Sequence, residues 1–209
     1  MTKLLSKLFS WVCHPLLLTT YIFYLLLTHS SLAKAPEYQS NIIPIVLIIF
    51  VTTSLFPALC IAIMRVFKMI RSFSMLSHVE RVKPMVFISI FYTMTTYMFW
   101  EKKIFSSDFL VIFVSINLLV VLLTAINFFW KISIYSASIT AMVGLLMAIN
   151  VHSTESGSLF YPFLISIILA GIVMSSRMFL EKHSSFEVYC GSLLGFTIGY
   201  LPLTYLLVF

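Results

Sequence analysis

The stretch FLVIFVSINLLVVLLTAINFFW, residues 109–130, contains no Asp, Glu, Lys or Arg. A helix that crosses a bilayer needs about 20 consecutive apolar residues. Lipid offers no partner to an exposed backbone amide, so such a run must satisfy its own hydrogen bonds as a helix. Six further segments share this character: 10–28, 41–64, 84–100, 132–151, 159–176 and 188–209. The seven run from 17 to 24 residues. Segments 10–28 and 84–100 carry the weakest signal, so seven crossings are expected and six are the alternative.

Composition agrees. Of 209 residues, 61% are hydrophobic and 10% charged, where a soluble domain carries about 25% charged residues. Mean hydropathy is +1.07. The expectation is one all-α integral membrane domain, a bundle of six to seven transmembrane helices over residues 1–209. The net charge of +6 comes from cations dispersed between apolar runs. With no basic stripe interleaved with aromatics, nucleic acid is not an expected partner; membrane lipids are.

Smaller features fit the same reading. Trp11, Trp100 and Trp130 stand at segment ends, where amphipathic rings favour the interface. Cys13, Cys60 and Cys190 lie in separate apolar runs and read as small core residues. Ala33-Lys34-Ala35 has the form of a small-x-small cleavage site, but Pro36 would follow the cut, so the first apolar segment is expected to be retained as a helix. Pro44, Pro57, Pro162 and Pro202 are compatible with membrane helices, whose neighbours satisfy the freed carbonyls. Gly191, Gly195 and Gly199 recur every four residues and predict close approach of another helix.

With seven crossings, Lys3, Lys7, Arg65, Lys68, Arg71, Arg81, Lys83, Lys131, Arg177 and Lys182 share one membrane face. Only Lys34, Lys102 and Lys103 fall on the other, and the positive-inside rule makes the first face cytoplasmic. Three polar clusters share that first face. They are His78-Val79-Glu80-Arg81-Val82-Lys83-Pro84, Lys131-Ile132-Ser133-Ile134-Tyr135, and Ser176-Arg177 with His183-Ser184-Ser185-Phe186-Glu187. Arg binds phosphate bidentately, Lys as a point charge and Ser through its hydroxyl. The second and third clusters open helices, where free N–H groups favour an anion. A phosphorylated lipid head group is the ligand such a set would hold.

The spacing of the third cluster resembles the type 2 phosphatidic acid phosphatase (PAP2) superfamily, whose last motif reads S-R, five residues, H, three residues, D. Here it is Ser176-Arg177, five residues, His183, three residues, Glu187. Trp130-Lys131-Ile132-Ser133 is similar to a divergent bacterial branch reading W-K-I-S-x-H. Arg81 and Lys83-Pro84 resemble the end of the first motif, with Leu76 in place of its leading Lys. The resemblance covers roughly residues 80 to 200.

It implies a PAP2-like core, no metal or cofactor, and hydrolysis of a lipid phosphate or diphosphate ester through a phospho-histidine intermediate. His183 would be the nucleophile and Glu187 would orient it. Arg177, Ser133, Lys131 and one of Arg81 or Lys83 would hold phosphate oxygens. Tyr135 stands where the family places the histidine that protonates the leaving group. His78 would be a substitute if its loop folds inward. A bacterial inner membrane is the implied location, and many bacterial members work on its outer face, opposite to the face the charges favour.

Plainer readings stand beside these. Ser184-x-x-Glu187 is a capping box. Lys131 reads equally as a snorkelling anchor and Tyr135 as an interhelical donor. His14, His29 and His152 read as interfacial. The alternative to an enzyme is a catalytically impaired PAP2-fold protein that binds a lipid head group or a membrane partner. A transporter is disfavoured: apart from His14, the seven segments hold none of the ionisable residues that would mark its pathway.

Overall fold

The computed structural model describes residues 3–33, 36–70, 78–103, 105–152 and 159–208. Lys34, Arg71, Leu76 and the His78 side chain lie outside that description. Among the described residues every regular element is helical. In chain order these are α1 (Lys3–Val12), α2 (Pro15–His29), α3 (Pro36–Ser40), α4 (Ile42–Phe50), α5 (Phe56–Val66), α6 (His78–Glu101), α7 (Ser107–Asn127), α8 (Ile134–His152), α9 (Phe160–Phe179) and α10 (Ser185–Val208).

Five helices are long and apolar enough to cross a membrane: Ile42–Val66, which joins α4 and α5, together with α7, α8, α9 and α10. The apolar segment 10–28 is not one straight rod. It breaks at Cys13-His14, with α1 and α2 inclined by 56°, and counts as a sixth span only if the bent pair is taken together. The cause is local: Pro15 cannot continue the hydrogen bonds of α1 and instead opens α2, with His14 as its N-cap. Helix α6 has 24 residues, with Glu80, Arg81 and Lys83 in its first turns and Ser89, Tyr92, Thr93, Thr95, Thr96 and Tyr97 further along, and it is not among the five.

The outside of the bundle is apolar, as lipid requires. Ile43, Leu47, Ile168, Leu193 and Phe129 are exposed, and Trp11 and Trp100 are exposed at element ends. Inside Ile42–Val66, a π-turn at Val51–Leu55 precedes Pro57, and the Phe56 N–H bonds five residues back to the Val51 carbonyl. The wider turn accommodates a proline ring that would otherwise meet the carbonyl four residues before it.

Helix α8 is the bundle's centre, with residues from Ser136 to Ile149 buried on nearly every side. It packs most closely against α10, and the glycine ridge of α10 is the reason. A Cβ at Gly191 would lie 2.6 Å from the Ser133 carbonyl oxygen, and at Gly195 and Gly199 it would overlap the Ala137 and Ala141 carbonyl oxygens. Gly144 answers from α8, 2.5 Å from the Phe196 carbonyl in the same sense. Around this pair stand α7 and α9. An α6–α7 pair, α2 and α5 complete the wall, and α1 lies against α9.

Candidate active site

The chain reversal after α9 sets the site. Glu181 is left-handed at φ 52°. The Lys182 N–H bonds the Arg177 carbonyl at 3.1 Å and the Glu181 N–H bonds the Met178 carbonyl at 2.9 Å. This Schellman closure satisfies the last carbonyls of α9 and returns Lys182 and His183 toward the helix end that carries Arg177.

Two links dock the segment before α8 onto this turn. The Lys131 ammonium donates to the Lys182 carbonyl at 2.7 Å, and the Ser133 N–H donates to the Glu187 carbonyl at 3.3 Å. The Trp130 and Phe186 rings add apolar contact, 5.4 Å between centroids.

His183 is buried, with its two nitrogens in different surroundings. Its Nδ1 lies 2.6 Å from Glu187 Oε2, and its Nε2 lies 3.4 Å from Arg81 Nη1. A guanidinium only donates, so Nε2 is the acceptor and Nδ1–H donates to the carboxylate. Burial pushes His183 down to about 4; the Glu187 hydrogen bond opposes this, while Arg81 and Lys131 add to it. The ring is therefore neutral at pH 7, with its lone pair on Nε2. Half of the capping box forms: the Glu187 N–H donates to Ser184 Oγ at 3.3 Å, while the Glu187 carboxylate serves His183 instead of the backbone.

Arg177 is 8% exposed. Its guanidinium carbon sits 4.0 Å over the Tyr135 ring, and its Nε–H has no partner. Against the ring of Tyr135 also packs His14, edge-on, with centroids 5.6 Å apart. Lys131 is lowered by burial first, then by Arg81, with Glu187 raising it and Lys182 lowering it further. Cations close enough to depress one another form a site built for an anion.

These groups open on a cavity of about 660 Å³. Lys7, His14, Arg81, Tyr135, Arg177, Lys182 and His183 line its polar end. Leu18, Ile22, Ile88, Ile116, Leu119 and Leu123 line much of the rest, together with the hydroxyl-bearing Thr19, Tyr92, Thr124 and Ser138. From Arg81 to Tyr92 on α6 the shaft spans roughly 16 Å at 1.5 Å per residue, close to half of a ~30 Å hydrocarbon core. Tyr92, buried there, hydrogen-bonds Thr19 at 3.0 Å.

Of the residues singled out in the sequence, Arg81, Tyr135, Arg177 and His183 line the cavity. Glu187 acts on it through His183. Lys131 stands beside it, bonded to the Lys182 carbonyl. Ser133 does not reach it: fully buried, its Oγ takes the Ser136 N–H at 3.4 Å and caps α8. Lys83 is exposed and is not in the lining. Lys7, His14 and Lys182 also line it, outside the set of residues that the sequence assigns to the site. His14 carried a signal, as the one ionisable side chain inside an apolar segment. Lys7 carried none that spacing reveals. Among the described residues no cluster of His, Cys, Asp or Glu is arranged to hold a metal ion.

No protein-family model matches the chain, and neither a curated protein nor a solved structure matches it significantly.

Proposed function

We propose that the protein is a PAP2-like membrane lipid phosphatase with α6 and the bent α1–α2 pair completing a six- to seven-helix bundle, in a bacterial inner membrane. The carrying observation is a neutral, carboxylate-oriented histidine beside Arg81, with Arg177 in the same lining, at the head of an apolar shaft. The phosphate group of a lipid would rest among Arg81, Arg177 and Lys7, with an apolar tail in the shaft. Charge spread over the phosphoryl oxygens in the transition state is what guanidinium groups stabilise.

In this reading His183 Nε2 attacks phosphorus. The bond from phosphorus to the lipid oxygen breaks and its electron pair leaves with the lipid. Glu187 holds the positive charge that develops on the ring. Water then attacks the phospho-histidine, releasing inorganic phosphate and restoring the free ring. No step calls for a metal or cofactor.

The second reading is a head-group binder without turnover. Arg81 favours it by covering the His183 lone pair, as does a phenol at position 135, whose ordinary pKa near 10 suits proton donation poorly.

One experiment separates the two. The purified protein and His183→Ala are offered phosphatidic acid, phosphatidylglycerol phosphate and undecaprenyl diphosphate in detergent, and phosphate release is measured. Release by the wild type that the variant lacks is expected. Background release from both would leave the binding reading.

A further inference from the structure

The cavity contains two imidazoles among the described residues, and they are held in opposite tautomers. His183 presents a lone pair on Nε2, because Glu187 takes its Nδ1–H and Arg81 donates to Nε2. His14 is the reverse. As N-cap of α2 its Nδ1 accepts the Leu16 N–H at 3.3 Å, so in the neutral ring the proton is on Nε2, the nitrogen turned away from the helix end. A proton on Nδ1 would face a backbone donor, and the cation of Arg177 stands across the shared Tyr135 ring. Both arguments favour the neutral form. A neutral imidazole at a helix N-terminus is a hydrogen-bond donor that polarises a substrate oxygen without giving up its proton.

We infer that His14 contacts the substrate, its Nε2–H donating to the oxygen that joins phosphorus to the lipid. The inference rests on the phosphatase reading and adds a residue from outside residues 80–200. His183 and His14 then play complementary parts, one supplying electrons to phosphorus and the other stabilising the electron pair that leaves. As the P–O bond breaks, the charge on the lipid oxygen is held by the His14 hydrogen bond and the oxygen takes its proton from water. The break between α1 and α2 gains a purpose: Pro15 stops one helix, starts the next and leaves His14 at the polar end of the cavity.

The test uses the full chain with His14→Asn and His14→Gln. Asn is a preferred N-cap, so the first variant retains the helix start and loses the donor. Gln places an N–H near the position of Nε2. Phosphate release is measured with a lipid monophosphate, whose leaving group is an alkoxide, and a lipid diphosphate, whose leaving group is a stable phosphate. Loss of one such donor lowers kcat about 10²-fold. His14→Asn should lose that much on the monophosphate, clearly less on the diphosphate, with KM little changed. His14→Gln should recover at least about tenfold of the loss.

Equal losses on both substrates would show a merely structural role and overturn the inference, as would unchanged rates. If the wild type turns over and His183→Ala does not while His14→Asn matches the wild type, only the His14 role falls. If wild type and His183→Ala are both at background, the reaction and the role of His14 fall together.

Discussion

Nδ1 of His183 donates to Oε2 of Glu187 at 2.6 Å, one helical turn apart, across the start of α10. The pair is a local structure with a distant consequence. The carboxylate fixes which ring nitrogen carries the proton, and the other nitrogen is thereby committed to Arg81, on a helix 102 residues earlier in the chain.

Glu187→Gln retains the shape and the backbone contact to Ser184 but removes the charge. It should lower kcat by about 10²-fold or more, as loss of an orienting carboxylate does for a catalytic histidine. Glu187→Asp should lose less. Phosphate release in detergent measures both; equal rates for Gln and wild type would remove the carboxylate from the mechanism.

Arg177→Lys replaces a planar fork stacked on Tyr135 with a flexible point charge. Inorganic phosphate should raise the unfolding temperature of the wild type by mass action and raise that of the variant much less. Loss of the cation–π contact should cost about 0.5–2 kcal/mol in the ligand-free protein. Thermal unfolding with and without phosphate reads both effects.

His183 titrates near 4 when folded and near 6.5 when unfolded. Its lowered value means that the unfolded chain binds more protons between those limits, so stability falls as pH drops from 6.5 toward 4. His183→Gln should flatten that part of the stability profile. Unfolding temperature against pH for both proteins provides the comparison, and parallel curves would contradict the burial of this ring.

Ile88 lines the apolar shaft on α6. Ile88→Trp should obstruct it, raising KM for long-chain substrates at least about tenfold, the scale of one to two kcal/mol of lost apolar burial, and leaving a short-chain soluble ester nearly unaffected. The chain-length series is the measurement.

Gly195→Leu would force a side chain into the Ala137 carbonyl. Overpacking of this kind typically costs 1–3 kcal/mol. Because α8 carries Tyr135 and α10 follows His183, phosphate-induced stabilisation should weaken along with the fold.

Several of these features are legible in the chain itself. Hydropathy is a property of stretches, so runs such as 109–130 declare helices in lipid whatever surrounds them. The glycines at 191, 195 and 199 announce a close partner for the same reason, since small residues at one helical face serve little else. The spacing from Ser176 to Glu187 places His183 and Glu187 one turn apart and therefore within reach of each other.

Tertiary structure decided what those residues meet. That the glycine ridge faces α8, that Arg81 reaches His183 across 102 residues, and that Ser133 turns inward to cap α8 depend on how helices pack, which no local pattern encodes. The break at His14 shows the division most clearly. Segment 10–28 reads as one apolar run, and the break at Pro15 and the placing of the His14 ring against Tyr135 in the cavity emerge only in the folded structure. The reason is physical: the solvent acts on each segment separately, whereas a site forms from side chains that become neighbours only after the segments have assembled.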